Sequence, residues 1–437
     1  MDIQTFLTRY AAEFIQIRRR LHQLAELSTL EYETGAYLMH LLDQWGIPYE
    51  YPVAETGLTA TIYGKNVPGK VVALRADMDA LPIFEDDRCP FHSKNPGVMH
   101  ACGHDAHMTI ALGAARYFKE KENDFSGCIR IFFQPAEETI GGAQRMIDAG
   151  CMEDPAVDAV IGLHMAPYLE TGTIELKHGK LYAASDEVSI VLHGKSSHGA
   201  YPDTGVDAIV IAAHLITALQ TIASRSISPL DQYVLTLGTI RGGSAHNIIA
   251  DTVELSGALR TTDPSAREQV KKMIRRQVEG IPASMGGSGT VTFTPGYDAL
   301  INTDAMVDLL ENTAIPILGK KHVLRKEYPG MGVEDFSFFL HKAPGVFYHL
   351  GCGKSRASRV ACSSAPGWKH LRLFLPQQGA APVRQTFLSY KNFRGNILNK
   401  KKSSTAPLHS REFSLDEDSL ALGIHLQIML AERILLS

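Results

Sequence analysis

A chain of 437 residues is too long for one ordinary hydrophobic core, so two domains are expected. With 45% hydrophobic and 21% charged residues it has the composition of a soluble globular protein, and a net charge of −4 offers no general attraction for nucleic acid. No stretch approaches the ~18 apolar residues that span a bilayer. Met1-Asp2-Ile3-Gln4 lacks the basic and apolar regions of a secretion signal, and six cysteines show no paired spacing, so a reducing, cytoplasmic location is expected.

In chain order, the periodicity predicts an amphipathic helix over 4–24, with Phe6, Leu7, Tyr10, Phe14, Ile17 and Leu21 on one face. A second helix, over 34–46, stops at Gly46-Ile47-Pro48. Short apolar runs follow at 58–63, 71–76, 128–133 and 157–163, and the sequence turns helical after Asp105 between the second and third. This alternation predicts an α/β fold whose mostly parallel open sheet carries flanking helices. From about 184 the pattern changes to strands at 186–195, 233–241, 251–260 and 289–296, with helices at 205–224 and 264–280. The order βαββαβ is that of a ferredoxin-like domain. The expected organisation is therefore a first domain formed by 1–184 and 298–437, with a second inserted at 185–297.

The first domain resumes with a helix at 303–312 and a strand at 346–350. Residues 354–404 then hold eleven Lys and Arg and no Asp or Glu, leaving 32 basic against 47 acidic residues elsewhere. Such a block reads as a solvated or poorly ordered insertion, with a polyanion- or partner-binding arm and an artefactual or disruptive segment as the alternatives. After it, Ser414-Leu415-Asp416-Glu417 has the form of a capping box opening the last helix.

The densest chemistry lies in Val98-Met99-His100-Ala101-Cys102-Gly103-His104-Asp105-Ala106-His107. Imidazole, thiolate and carboxylate are the ligands of a borderline-soft divalent cation, and Gly103 lets the backbone bend between Cys102 and His104. Other polar candidates sit where the apolar runs end: Asp77 and Asp79, then Glu137 and Glu138, then His164. Ligands of open α/β sheets bind beyond the carboxyl ends of the strands. Taken with His409, the residues Cys102, His104, Glu138 and His164 could hold two cations, with a thiolate or carboxylate as the bridge. Glu137 has the chemistry of a general base, and Asp77 that of a carboxylate orienting its neighbours.

At this point the motifs resemble a known family. They are Arg75-Ala76-Asp77-Met78-Asp79-Ala80-Leu81-Pro82, His100-Ala101-Cys102-Gly103-His104-Asp105, Gln134-Pro135-Ala136-Glu137-Glu138, Gly162-Leu163-His164 and Pro407-Leu408-His409-Ser410. Together they are similar to the metallo-amidohydrolases of the aminoacylase/carboxypeptidase superfamily. The nearest branch contains the indole-acetyl-amino-acid hydrolases, hippurate hydrolases and N-acetyl-diaminopimelate deacetylases. The resemblance implies two divalent ions, zinc first and manganese, cobalt or nickel as substitutes, held by Cys102, His104, Glu138, His164 and His409. It implies Glu137 as base, Asp77 as its supporting carboxylate, and a βαββαβ lid that also forms a homodimer. In the lid, His198 would stabilise the oxyanion in the partner subunit's active site, while Asn247 and Arg260 would hold the substrate's carbonyl and carboxylate. The substrate would be an N-acyl amino acid or small peptide, with neither membrane nor nucleic acid as partner.

Three positions depart from the family pattern: Ala25 for proline, Val333 for serine, and the 354–404 block, which relatives cross in a few residues. Two rival readings remain at this level. One makes Cys102 the nucleophile of a thiol hydrolase. The other is a non-catalytic metal- or ligand-binding homologue in which the block displaces His409.

Overall fold

The computed structural model describes residues 1–86, 89–228, 231–354 and 406–437; of the basic block only Lys354 lies within them. The described chain divides into two compact units. One comprises Met1–Leu176, Asp304–Lys326 and Lys342–Ser437; the other comprises Lys177–Thr303 and Glu327–His341.

The four apolar runs of the first unit are strands, Gly57–Tyr63, Asn66–Asp77, Ser126–Gln134 and Ala159–Glu170. They lie in one eight-stranded sheet whose order begins Tyr49–Val53, Gly57–Tyr63, Ser126–Gln134, Asn66–Asp77 and Ala159–Glu170. It continues with Gly345–Gly353, Ile174–Leu176 and Val323–Arg325. The central four strands, from Ser126–Gln134 to Gly345–Gly353, pair in parallel. Val72, Leu74, Ile129, Ile131, Ile161 and Val346 along them are fully buried. Continuous apolar runs, rather than alternating ones, are what a sheet covered on both faces requires. The α/β fold class expected from the sequence is therefore observed.

Helices Ile3–Leu24, His104–Glu120 and Asp418–Leu435 pack on one another. Two glycines allow the last two to approach closely: a Cβ built on Gly113 would lie 2.5 Å from Ile424 Cδ1, and one on Gly423 would lie 2.5 Å from Ile110 Cδ1. The capping box expected at Ser414 does not form. The helix begins four residues later at Asp418, whose N–H donates to Asp416 Oδ1 at 3.2 Å. Glu417 is drawn away to accept from Arg19 Nε and Nη2 at 2.9 and 2.7 Å, and an ion pair across the structure outcompetes the local cap.

In the second unit, strands Tyr233–Gly242, Thr252–Thr261, Ala184–His193 and Ser288–Pro295 form an antiparallel sheet in that order. Helices Ala208–Leu219 and Pro264–Ser284 pack against it and bury Val188, Ile190, Leu215, Val253, Val270 and Ile274. This is the expected ferredoxin-like order. Each helix has an aspartate at its N-cap, Asp207 and Asp263, accepting two backbone N–H groups. The unit starts at Lys177 and runs to Thr303 because Gly179–Tyr182 pairs with Leu300–Asn302 and closes its base.

Gly113→Val should lower the denaturant midpoint by an amount equivalent to about 1–3 kcal/mol without changing the m-value, since the added Cβ and its two methyls must displace the Ile424 side chain.

Candidate metal centre

Side chains two apart on a strand share a face, so Arg75, Asp77 and, just beyond, Asp79 point the same way. Asp77 is fully buried. Its Oδ1 accepts from His107 Nδ1 at 2.6 Å and its Oδ2 from Arg75 Nη1 at 2.7 Å. Arg75 Nε also donates to Gln134 Oε1 at 2.8 Å on the neighbouring strand. The second nitrogen of His107, Nε2, accepts the N–H of Met165 at 2.9 Å. Both nitrogens of His107 are thus committed, and it is a support rather than a ligand. Burial opposes the charge on Asp77, but Arg75, His104 and His107 outweigh it and hold the carboxyl well below its ordinary range.

Gly103 adopts φ +90°, and a Cβ there would press on the Met165 side chain at 3.1 Å. This turn ends the Cys102 loop and starts the helix at His104. His104 Nδ1 donates to the Asp79 carbonyl oxygen at 2.8 Å, with Asp79 Oδ1 at 3.3 Å. In the neutral ring, its Nε2 would carry the lone pair. That atom is buried with no hydrogen-bond partner, 3.7 Å from Asp77 Oδ2 and 3.9 Å from Glu138 Oε1. His164 is fixed similarly: Nδ1 donates to the Met165 carbonyl at 2.9 Å, and Nε2 faces Cys102 Sγ at 3.3 Å. His164 does not lie past its strand, as its sequence neighbours suggest. The strand runs on to Glu170 because Gly345–Gly353 pairs along it, His349 opposite His164.

His409 arrives from beyond the basic block with φ +59°, and its N–H donates to the Ala101 carbonyl at 2.9 Å, one residue before Cys102. Its Nε2 lies 3.3 Å from Glu138 Oε1. Ligand atoms of Cys102, His104 and His164 lie within 4.8 Å of one another; the same holds for Cys102, Glu138 and His409, and for His104, Glu137 and Glu138. The five sequence candidates and Glu137 thus form one continuous cluster.

The electrostatics of the cluster are those of a cation site. Burial disfavours a charge on His104, but Asp77, Asp79 and Glu138 prevail and push it up to about 10. Burial likewise opposes ionised Glu138, yet His409 and His104 draw its carboxyl down to about 2. Cys102 is pushed well above the ordinary thiol range by burial and then by Glu138, Glu137 and Asp77. Burial, then the neighbouring His107, holds His164 near 3, so it is neutral and able to donate its lone pair.

A second charged network braces the loop from behind. Asp105, next to His104, is fully buried and accepts an ion pair from Arg18 Nε at 2.7 Å and a hydrogen bond from His22 Nδ1 at 2.8 Å. His22 Nε2 donates to Glu85 Oε1 at 2.8 Å. His100, between these networks, is held near 3 by burial and stays neutral. The i+3 spacing of His107 and the alternation Arg75-x-Asp77-x-Asp79 were sequence signals for the supporting set; the pairing of Asp105 with Arg18 and His22, across more than 80 residues, had none.

The remaining candidates lie in the second unit. Ser197–His198 pairs with Ile248–Ile249, and Gly199 N–H donates to the Asn247 carbonyl at 2.8 Å, so His198 and Asn247 are neighbours. Both are exposed, and Arg260, on Thr252–Thr261, is half-buried.

The profile of peptidase family M20/M25/M40 matches residues 73–364. The chain belongs to that family. It is 42% identical over 345 residues to N-acetyl-L-cysteine deacetylase of Bacillus subtilis, covering 79% of this chain and 82% of that protein. It is 36% identical over 423 residues to thermostable carboxypeptidase 2 of Saccharolobus solfataricus, covering 95% and 94%. A crystal structure of a Bacillus subtilis dinuclear metal binding peptidase from the M20 family superposes with TM-score 0.76 at 29% identity, covering 98% and 99%. This M20 member is accordingly an enzyme, a metal-dependent hydrolase of carbon–nitrogen bonds.

The brace has a pH signature. His22, whose pKa rises from 6.5 to about 10 because Asp105 overrides burial, contributes stability that is complete below pH 6.5 and lost between there and about 10. At fixed cation concentration the denaturant midpoint should fall across that window, and His22→Gln should flatten the fall.

Proposed function

We propose that this M20 enzyme hydrolyses the amide bond of N-acyl amino acids or small peptides with two divalent cations held by Cys102, His104, Glu138, His164 and His409. The observation that carries the reading is the buried His104 Nε2, without a hydrogen bond, facing carboxylates that favour a positive charge there and beside a thiol. An uncompensated buried nitrogen among anions is costly unless a cation joins it. The mixed S, N and O donors suit zinc, with manganese, cobalt or nickel as substitutes. Two divalent cations there would polarise the scissile carbonyl and acidify water.

The rest of the chemistry belongs to the chain. Glu137, almost buried beside Glu138, takes a proton from the attacking water and delivers it to the departing amine as the C–N bond breaks. Asp77, charged through Arg75 and His107, keeps a fixed negative potential on the His104 side of the site. In the lid, His198 Nδ1 accepts the Ala200 N–H at 3.1 Å, which leaves the proton of the neutral ring on Nε2. That is a donor suited to a developing oxyanion, and Asn247 and Arg260 would bind the substrate's carbonyl and carboxylate. A carboxypeptidase and an N-acetyl amino acid deacetylase among the relatives support this substrate class, and the dinuclear peptidase supports the pair of ions.

Two features argue against the rivals. Cys102 is surrounded by carboxylates that disfavour a free thiolate, the reverse of what a thiol nucleophile needs. His409 is tied to Ala101 and Glu138, so the segment before it does not carry it away from the cluster.

A homodimer through the lid is part of the proposal. Ile209, Val210, Val234 and Ile240 expose apolar surface on the lid's first helix and on its edge strand Tyr233–Gly242. Five free cysteines among the described residues suit a reducing cytoplasm, and no described helix is long and apolar enough to cross a membrane.

Dialysis against chelator should abolish hydrolysis of N-acyl amino acids and added zinc or manganese should restore it; full activity in chelator would sink the proposal. Glu137→Gln should lower kcat by about 10²–10⁴-fold with two ions per chain retained by elemental analysis. Sedimentation should show a dimer that Ile240→Glu converts to monomer.

A further inference from the structure

Glu137 sits in a short strap between the strand Ser126–Gln134 and the helix Gly142–Asp148. The residue before it, Ala136, adopts φ +55°, a left-handed conformation that an L-residue with a Cβ avoids. Such a conformation persists only where the surroundings over-determine it. Here the backbone is held at three points. Ala136 N–H donates to Glu31 Oε1 at 3.0 Å, Gly141 N–H donates to the Ala136 carbonyl at 3.0 Å, and Glu138 N–H donates to Asp79 Oδ2 at 3.0 Å. The strap is also tight at its end, since a Cβ on Gly142 would fall 1.8 Å from the Pro135 carbonyl oxygen.

Glu31 is the unexplained member of this set. It is fully buried, and its other oxygen accepts the hydroxyl of Thr56, also buried, at 2.5 Å. It stands at the N-cap of the helix Tyr32–Trp45, where a side chain commonly accepts the free N–H groups of the first turn. Glu31 does not do so. That task falls to Glu26, whose carboxylate accepts the N–H groups of Glu33 and Thr34 at 3.1 and 2.8 Å. Glu31 is thereby free to turn inward, and a buried carboxylate bears a desolvation cost that an apolar side chain of similar size would not.

From this geometry we infer that Glu31 is a positioning residue for the general base: with Thr56 behind it, it fixes the left-handed turn at Ala136 and so sets where the Glu137 carboxylate stands. The inference rests on reading Glu137 as the base. A carboxylate misplaced by about 1 Å costs on the order of 10²-fold in rate, and the ligands Glu138 and His104 have their own anchors on Asp79. The effect should therefore fall on turnover rather than on ion binding.

The test compares Glu31→Leu, Glu31→Gln, Thr56→Val and Glu137→Gln in the full-length, metal-loaded protein. Glu31→Leu should lose about 10–100-fold in kcat, with KM within about threefold and two ions per chain retained. Glu31→Gln should stay within about threefold of wild type, because its amide oxygen still accepts the Ala136 N–H while its NH₂ donates to Thr56 Oγ1. Thr56→Val should lie between the two. A Glu31→Leu enzyme with full metal and unchanged kcat overturns the inference, and so does a loss of kcat in proportion to lost metal. Should Glu31→Leu not fold, Thr56→Val decides, and wild-type kcat there overturns it. Unchanged turnover in Glu137→Gln removes the base itself and is recognisable separately, whatever the Glu31 variants do.

Discussion

The structure depends on one constraint: a concentration of buried negative charge that must be balanced without water. Asp77, Asp79, Asp105, Glu137 and Glu138 all lie buried or nearly so around the Cys102–His104 loop. Ionised carboxylates of this kind survive in a low-dielectric interior only with cations or multiple hydrogen bonds at hand.

The chain answers the constraint in two ways. Some carboxylates are balanced permanently: Asp77 by Arg75 and His107, and Asp105 by Arg18 and His22. These pairs form the walls of the site and fix the tautomers and turns around them. Others keep capacity in reserve. Glu138 faces His409 and His104, and the Cys102 thiol stays protonated beside them, so the anionic capacity left over gathers on one side of the loop. The helix that begins at His104 joins the two groups, with a donor to the interior on one residue and the brace on the next.

The same division appears in the backbone. Left-handed turns at Gly103, Ala136 and His409 each precede or carry a side chain of the proposed site. At Gly103 the residue type itself permits the turn. At Ala136 and His409 it does not, and hydrogen bonds to the Glu31 carboxylate and the Ala101 carbonyl and from the Gly141 N–H enforce it. Precision at the site thus rests on residues distant in sequence and silent in chemistry.

Much of this was legible in the chain. Uninterrupted apolar runs reported strands buried on both faces, and the change to βαββαβ reported a second architecture. The crowding of His, Cys and Glu near the carboxyl ends of strands pointed to a candidate cation site, whose members the fold brings together. Local signals failed where tertiary partners outbid them. The capping box at Ser414 dissolved when Glu417 joined Arg19, and the strand holding His164 extended when Gly345–Gly353 paired with it. Sequence alone named the candidate groups, through residue type and resemblance to the family motifs, and placed most of them at the ends of apolar runs. Only the tertiary structure decided that His409 closes the cluster, that Asp105 pairs with Arg18 and His22 behind it, and that Glu31 accepts the Ala136 N–H before Glu137. Those facts depend on hydrogen bonds between segments up to hundreds of residues apart, whose energies no local pattern records.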